Sequence, residues 1–238
     1  MSIWARIGEF VARVSSGAAN GVADLVEAVR TVFEGDPELR RRVAFSVAMI
    51  ALSAKMAKAD GIVTQDEIRA FEDIFSMPTS ERRNVERLYR LAMADTAGYE
   101  VYAERLAGLC GSGQPDCRML EDILEGLFHI AKADGVIHEA ELRFLRRIAE
   151  IFAISDRQFE AILARHVIGA TDPWAILGVT RDMSFEEVRR RYLRLVSDNH
   201  PDRMIARGVP EEFLALANDR MAAFNAAYQT IERGRVAA

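Results

Sequence analysis

Residues 184–202 read SFEEVRRRYLRLVSDNHPD and decide the fold of the C-terminal part of the chain. Ser184 and Glu187 have the spacing of a helix capping box, in which the side chain of each residue accepts a hydrogen bond from the backbone amide of the other. Apolar residues then recur at intervals of three and four, which predicts an amphipathic helix with one buried face. That face comprises Phe185, Val188, Tyr192, Leu195 and Val196.

A proline follows this helix and shapes the tripeptide His200-Pro201-Asp202. Pro201 ends the helix and biases His200 away from helical geometry, so we expect the tripeptide to be presented rather than wound into a helix. An ordinary helix-terminating turn is the alternative, because proline and aspartate are common in turns.

A second amphipathic helix is predicted after Pro210, a residue suited to a first helical turn. Its apolar positions are Phe213, Ala217, Met221, Phe224, Tyr228 and Ile231. Two such helices bury their apolar faces against each other as an αα-hairpin, with the tripeptide at its tip.

Four features in this order resemble the J domain of DnaJ-type co-chaperones. They are DPWAILGV at 172–179, the basic helix centred on Tyr192, the tripeptide at 200–202, and FNAAY at 224–228. The segment RMIARGVP at 203–210 makes the resemblance strongest to DjlA-type proteins, a branch of that family. Asp198 and Asn199 depart from the Lys-Tyr pair that many J domains have before the tripeptide, and Leu193 replaces a usual basic residue.

The J resemblance implies docking on a DnaK-type chaperone and stimulation of its ATP hydrolysis. His200, Pro201 and Asp202 would contact the partner near its interdomain linker, with Asp202 accepting from an arginine. The arginines of the basic helix would face an acidic patch and steer the encounter; they are Arg190, Arg191 and Arg194.

An internal repeat organises the preceding part of the chain. AKADGIV at 57–63 recurs as AKADGVI at 131–137, and each copy predicts a helix, an Asp-Gly turn and a second helix. Strand patterns are scarce, so we expect a pseudo-symmetric, all-α bundle. The predicted helices cover 37–59, 64–76, 79–96, 98–110, 117–133, 138–153 and 155–167, and Ser155 with Gln158 has capping-box spacing at the start of the last one. The first is apolar on nearly all sides, which predicts a central helix.

The repeat resembles the TerB-like (tellurite-resistance) domain over residues 36–168. Four acids in the repeats, Asp60, Glu67, Asp134 and Glu141, are open to two interpretations. In the first interpretation, Gly61 and Gly135 take the left-handed conformation that closes one helix, and Thr64 with Glu67 forms a capping box for the next. In the second, the four acids converge on a divalent cation, as the resemblance implies. His138 replaces Thr64 in the second copy and would either add a ligand or spoil the cap. No other cofactor is expected.

We therefore predict three parts: an amphipathic helical segment at 1–35, a TerB-like domain at 36–168 and a J domain at 171–238. The TerB-like domain would recruit a client, sense a metal or mediate self-association as a homodimer. The alternative is a metal-binding tellurite or stress-response protein with an accessory J domain. No catalytic motif is present, so we do not expect an enzyme.

Composition and charge indicate which partners are disfavoured and where in the cell we expect the protein. The net charge of −5 does not favour binding to nucleic acid. The most apolar run, residues 43–54, is too short to span a bilayer, so no transmembrane segment is predicted. We expect a cytoplasmic protein, with a peripheral position at the inner face of the membrane, held by the N-terminal segment, as the alternative.

Overall fold

The computed structural model describes residues 7–8, 37–60, 82–94, 98–109, 118–167 and 172–236. Within these ranges all regular structure is helical, which confirms the predicted all-α class. An N-terminal bundle comprises α1 (Pro37–Asp60), α2 (Arg82–Ala94), α3 (Tyr99–Leu109), α4 (Arg118–Ala131), α5 (Glu139–Ile151) and α6 (Asp156–His166). A C-terminal module comprises α7 (Pro173–Leu177), α8 (Phe185–Asp198), α9 (Pro201–Ala206), a 3₁₀ turn (Glu211–Phe213) and α10 (Leu214–Val236). The predicted segment 1–35 and helix 64–76 lie outside the described residues, apart from Ile7 and Gly8.

The long helix α1 forms the centre of the N-terminal bundle, as its apolar composition predicts. Every residue from 43 to 57 is buried, and α2, α3, α4 and α5 all pack against it. Two serines on this buried stretch satisfy their hydroxyls locally: Ser46 donates to the Arg42 carbonyl and Ser53 to the Met49 carbonyl. A helix without a polar face is therefore accommodated because other helices cover it on several sides.

Local capping signals are reproduced at the helix ends. Both Ser155 with Gln158 and Ser184 with Glu187 form reciprocal capping boxes at the starts of α6 and α8. Gly135 has a φ of 92°, so the predicted left-handed glycine is present in the second repeat. Gly61, its counterpart in the first repeat, lies outside the described residues.

The C-terminal module has a small core of its own, formed by α7, α8 and α10. Val188 and Leu195 of α8 are buried against Phe224 of α10. On the rim, the rings of Tyr192 and Tyr228 stack with 4.2 Å between their centroids. The predicted hairpin between α8 and α10 is confirmed in these contacts.

One part of the predicted hairpin core is wrong. Phe213 packs in the core of the N-terminal bundle, where its ring meets that of Phe45 edge-on at 4.7 Å. Ala217, which was also predicted for the hairpin face, is buried in the same core together with Met204, Val209 and Leu216. The chain from α9 to the start of α10 therefore belongs structurally to both halves of the molecule.

Gly208 permits that packing. Its φ is 94°, and a Cβ atom at this position would lie 2.6 Å from the Cβ of Arg41 on α1. A side chain here would be strained by the backbone conformation and would collide with the central helix.

Candidate partner-binding site

The tripeptide His200-Pro201-Asp202 lies in the connection between α8 and α9. His200 has extended geometry, with φ −62° and ψ 137°, as the following proline predicts. Pro201 and Asp202, however, form the first turn of α9, so the expectation that the tripeptide is not wound into a helix is wrong for these two residues. The reason is that proline is well suited to the first helical position, where no backbone donor is required.

The histidine and aspartate side chains of the tripeptide are open to solvent. The side chain of His200 is 54% exposed and that of Asp202 is 87% exposed. His200 Nδ1 accepts a hydrogen bond from the Asp202 backbone amide at 3.2 Å, which fixes the orientation of the ring. The tripeptide is therefore held in one conformation while its imidazole and carboxylate remain accessible.

The residue pair before the tripeptide is not exposed in the same way. Asp198 Oδ2 accepts from Arg118 of α4 at 3.1 Å, and Asp198 Oδ1 accepts from Arg203 at the same distance. The Asp198 carbonyl accepts from Arg207 at 2.6 Å. The acid that departs from the J-domain pattern thus joins the end of α8 to the N-terminal bundle.

Asn199 connects to a buried charged network. Its Oδ1 accepts from Arg220 of α10 at 2.6 Å, and its Nδ2 donates to the Leu195 carbonyl. Arg220 also donates to Asp122 Oδ1 of α4 at 2.8 Å, and Arg207 donates to Asp122 Oδ2 at 3.0 Å. The base of the tripeptide loop is therefore hydrogen-bonded, through Arg220, to a helix of the N-terminal bundle.

A second buried acid on α4, Glu125, extends this network. It accepts two hydrogen bonds from Arg165 and lies 3.1 Å from His166 Nε2. Burial raises the pKa of Glu125, but Arg165 and Arg220 together outweigh that effect and hold the pKa well below its usual value. The carboxylate is charged and paired with Arg165 and Arg220, and the His166 ring is buried beside it.

The three arginines predicted on the basic helix occupy different environments. Arg190 is exposed and lies 3.9 Å from Glu186, and Arg194 is also exposed. Arg191 is half-buried, and its Nε donates to the Leu177 carbonyl at the end of α7. Burial lowers the pKa of Arg191 and neighbouring arginines lower it further. Arg191 therefore packs α7 against α8 in addition to presenting charge.

The predicted metal ligands are brought together only in part. Asp134 Oδ1 accepts from the Val136 amide and Oδ2 lies 3.2 Å from His138 Nε2. Glu141 Oε2 accepts from the His138 amide at 2.8 Å as a helix cap. Glu67 and the side chain of Asp60 lie outside the described residues, within which no cluster of three ligating side chains occurs. The cation site stays a prediction, while the second repeat shows the capping interpretation.

Four residues that link the two halves were missed in the sequence: Arg118, Asp122, Arg207 and Arg220. One signal for Arg220 was available, because it lies at the same helical spacing as the apolar residues Ala217 and Phe224. An arginine on a buried stripe indicates a buried acidic partner. Nothing local identifies that partner as Asp122.

Comparison with known proteins agrees with both predicted resemblances. The family model for tellurite resistance protein TerB matches residues 46–164. A co-chaperone protein DjlA of Photobacterium profundum is 30% identical, with 81% of this chain and 78% of the relative covered. The DjlA co-chaperones of Vibrio vulnificus and Shewanella oneidensis are 26% and 24% identical, each with 84% of this chain and 81% of the relative covered. No solved structure matches significantly.

These relatives correct one prediction. The cytoplasmic location is wrong, because DjlA proteins are membrane-anchored co-chaperones. Among the helices that the structure describes, none has the length and apolar character to cross a bilayer. The TerB match, the identity to DjlA relatives over most of both chains and the all-helical fold show that this chain belongs to the DjlA family of DnaJ-type co-chaperones.

Proposed function

We propose that this co-chaperone docks on a DnaK-type chaperone through His200, Pro201, Asp202 and the basic helix α8, and stimulates the ATPase of that partner. One observation carries the proposal: His200 and Asp202 are exposed, while the residues directly before them are fixed by buried hydrogen bonds. An exposed recognition loop on a rigid base loses little conformational freedom when it binds.

Each exposed group has a role suited to its chemistry. The Asp202 carboxylate accepts a charge-assisted hydrogen bond from a cationic side chain of the partner. The exposed guanidinium groups of Arg190 and Arg194 attract an acidic surface and raise the rate of encounter. The phosphoryl-transfer chemistry belongs to the partner.

The TerB domain supports this function by holding the loop. Arg118 of its helix α4 binds Asp198. Asp122 of the same helix binds both Arg207 and Arg220. Because these contacts surround the base of the tripeptide, we infer that the TerB domain determines the orientation in which His200 and Asp202 meet the partner. Recruitment of a client and self-association remain proposals for the surface of this domain.

The test is stimulation of ATP hydrolysis by the DnaK-type chaperone of the same organism. We expect His200→Gln and Asp202→Asn in the full chain to reduce the stimulation at least about tenfold, because a neutral amide replaces the imidazole or the charged carboxylate at an exposed site. Their melting temperatures should match that of the wild type.

His138→Gln is the matched control, since it makes the same substitution at a histidine that is 57% exposed in the TerB domain. It should keep full stimulation. Retained stimulation by a folded His200→Gln protein, or an equal loss in His138→Gln, would contradict the proposal.

A further inference from the structure

A cleft separates α8 of the J domain from α4 and α6 of the TerB domain. We call it the interdomain cleft; it has a volume of about 460 Å³. Six arginines from both domains line it: Arg118, Arg157, Arg165, Arg190, Arg191 and Arg194. The face of the basic helix that bears Arg191 and Arg194 is therefore one wall of a cleft whose other wall is also basic.

Among the residues that the structure describes, acidic groups balance only part of this charge. Of the acids, Glu121 and Glu187 line the cleft. Glu187 accepts hydrogen bonds from Ser184 in the capping box, and Glu121 lies 3.6 Å from Arg118. Arg165 is neutralised by the buried Glu125, and Arg118 forms an ion pair with Asp198 at 3.1 Å. The arginines left to face Glu121 and Glu187 are Arg157, Arg190, Arg191 and Arg194.

The arginines are close enough to influence one another. Burial lowers the pKa of Arg191, the Glu121 carboxylate raises it, and Arg118, Arg157 and Arg194 each lower it further. Arg157 is held in place by a hydrogen bond of 2.6 Å from its Nη2 to the Gly178 carbonyl, just as Arg191 is held by the Leu177 carbonyl. Each of these two guanidinium groups retains further N–H donors. The like charges are thus pre-positioned, and an anion entering the cleft would relieve their repulsion.

We propose that the interdomain cleft binds an acidic peptide segment of the DnaK-type partner, so that Arg157 and Arg118 of the TerB domain are part of the docking surface. The inference rests on the proposed function. A concave site of this volume takes a few side chains rather than a flat surface. Arginine is suited to it because its planar fork binds a carboxylate with two parallel hydrogen bonds. The bound segment would contact both domains at once.

The test compares Arg157→Glu with Arg143→Glu in the full chain. Arg143 is an exposed arginine on α5, outside the cleft, whose ion pair is with Glu139 one turn away. Binding to the purified chaperone is measured at 50 and 200 mM salt, together with the concentration that gives half-maximal ATPase stimulation. We expect Arg157→Glu to weaken binding about tenfold at low salt and to reduce its salt dependence. Arg143→Glu should stay within about twofold of the wild type.

A purely structural role for Arg157 predicts other results. Loss of the hydrogen bond to Gly178 would lower the melting temperature of Arg157→Glu and Arg157→Lys alike, without a change in salt dependence. The cleft inference instead predicts that Arg157→Lys, which keeps the charge, recovers most of the affinity. A short poly-glutamate peptide should compete with the chaperone for the wild type and not for Arg157→Glu.

Failure of this inference is distinguishable from failure of the proposed function. An unchanged affinity in Arg157→Glu, with stimulation abolished in His200→Gln, would overturn the cleft and leave the proposed function standing. Retained stimulation in His200→Gln would overturn both. Maximal stimulation at saturating Arg157→Glu protein should equal that of the wild type, because the tripeptide is untouched.

Discussion

Asp122 and Arg220 form a buried ion pair across the two domains, with 2.8 Å between Oδ1 and Nη1. Both side chains are almost completely buried, at 2% and 3% exposed, and 98 residues separate them in the sequence. Arg220 also binds Asn199 beside the tripeptide. The same guanidinium therefore joins the domains and supports the base of the tripeptide loop.

We expect Asp122→Ala to lower the free energy of unfolding by about 3–5 kcal/mol, because two arginines would lose their carboxylate inside the protein. Urea unfolding measures this change. Chaperone stimulation should fall as well, since Asn199 would lose a well-positioned donor.

A double variant distinguishes the cost of leaving one buried charge unpaired from the contribution of the ion pair itself. Asp122→Leu with Arg220→Met replaces both buried charges by apolar groups and should recover part of the stability. Arg207 still lacks its partner in this variant, and Glu125 keeps Arg165 but loses Arg220. A loss below about 1 kcal/mol in Asp122→Ala would show that the pair is not the buried contact described here.

Phe213→Ala should destabilise the whole chain by about 3–5 kcal/mol, because it leaves a cavity against Phe45 in the core of the TerB domain. Phe185→Ala is the matched comparison; that ring lies half-buried at the rim of the J-domain core and its removal should cost about 1–2 kcal/mol. Calorimetric unfolding tests both. Separate transitions, with only the J domain weakened by Phe213→Ala, would contradict the shared core.

Acid should weaken the contact between α4 and α10 at His129, whose Nδ1 lies 3.5 Å from Asp219 Oδ2. Burial, with the positive charges of Lys132 and His166, lowers the pKa of His129 to about 4, against the opposing effects of Asp219 and Glu125. Between pH 4 and 6.5, this histidine therefore binds a proton in the unfolded chain, where its pKa is near 6.5, and not in the folded chain. Stability from this group is present above pH 6.5 and is lost as the pH falls towards 4, by about 1–2 kcal/mol after allowance for partial exposure.

Urea unfolding at pH 7.5 and 4.5 measures this loss, and His129→Gln should show a smaller one. The histidine resonances provide a direct check. A titration midpoint of His129 at or above pH 6 in the folded protein would be inconsistent with its burial beside Lys132.

Local signals in the sequence predicted much of the fold. The capping boxes at Ser155 and Ser184 gave the starts of α6 and α8, and apolar periodicity gave the packed faces of α8 and α10. These predictions succeed because caps and helical faces depend on residues only three or four positions apart.

Long-range features could not be predicted in the same way. The short helix α9 has six residues, too few to show a period, and its first position is a proline that also ends the preceding helix. Phe213 carries the correct spacing for the J-domain stripe, yet it packs on Phe45 because the chain turns at Gly208 towards α1. Spacing shows that a residue is buried and does not show against which helix.

In the candidate site, too, local features could be predicted from the sequence and long-range contacts could not. Exposure of His200 and Asp202 follows from a motif that lies between two helices, and the sequence was sufficient to identify both. The environment of Arg191 was not predictable, because the Leu177 carbonyl that binds it belongs to a five-residue helix. The acidic ligands were ambiguous for a different reason: a carboxylate that caps a helix and one that binds a cation have the same sequence pattern.

The burial of Met204, Val209 and Phe213 in the TerB core has a practical consequence for protein engineering. A fragment that begins at residue 172 would expose these side chains to solvent as an apolar patch and would be prone to aggregate. Grafting this J module onto another protein would therefore require polar replacements along that patch, whereas exchange of TerB and J modules as one cassette would need none.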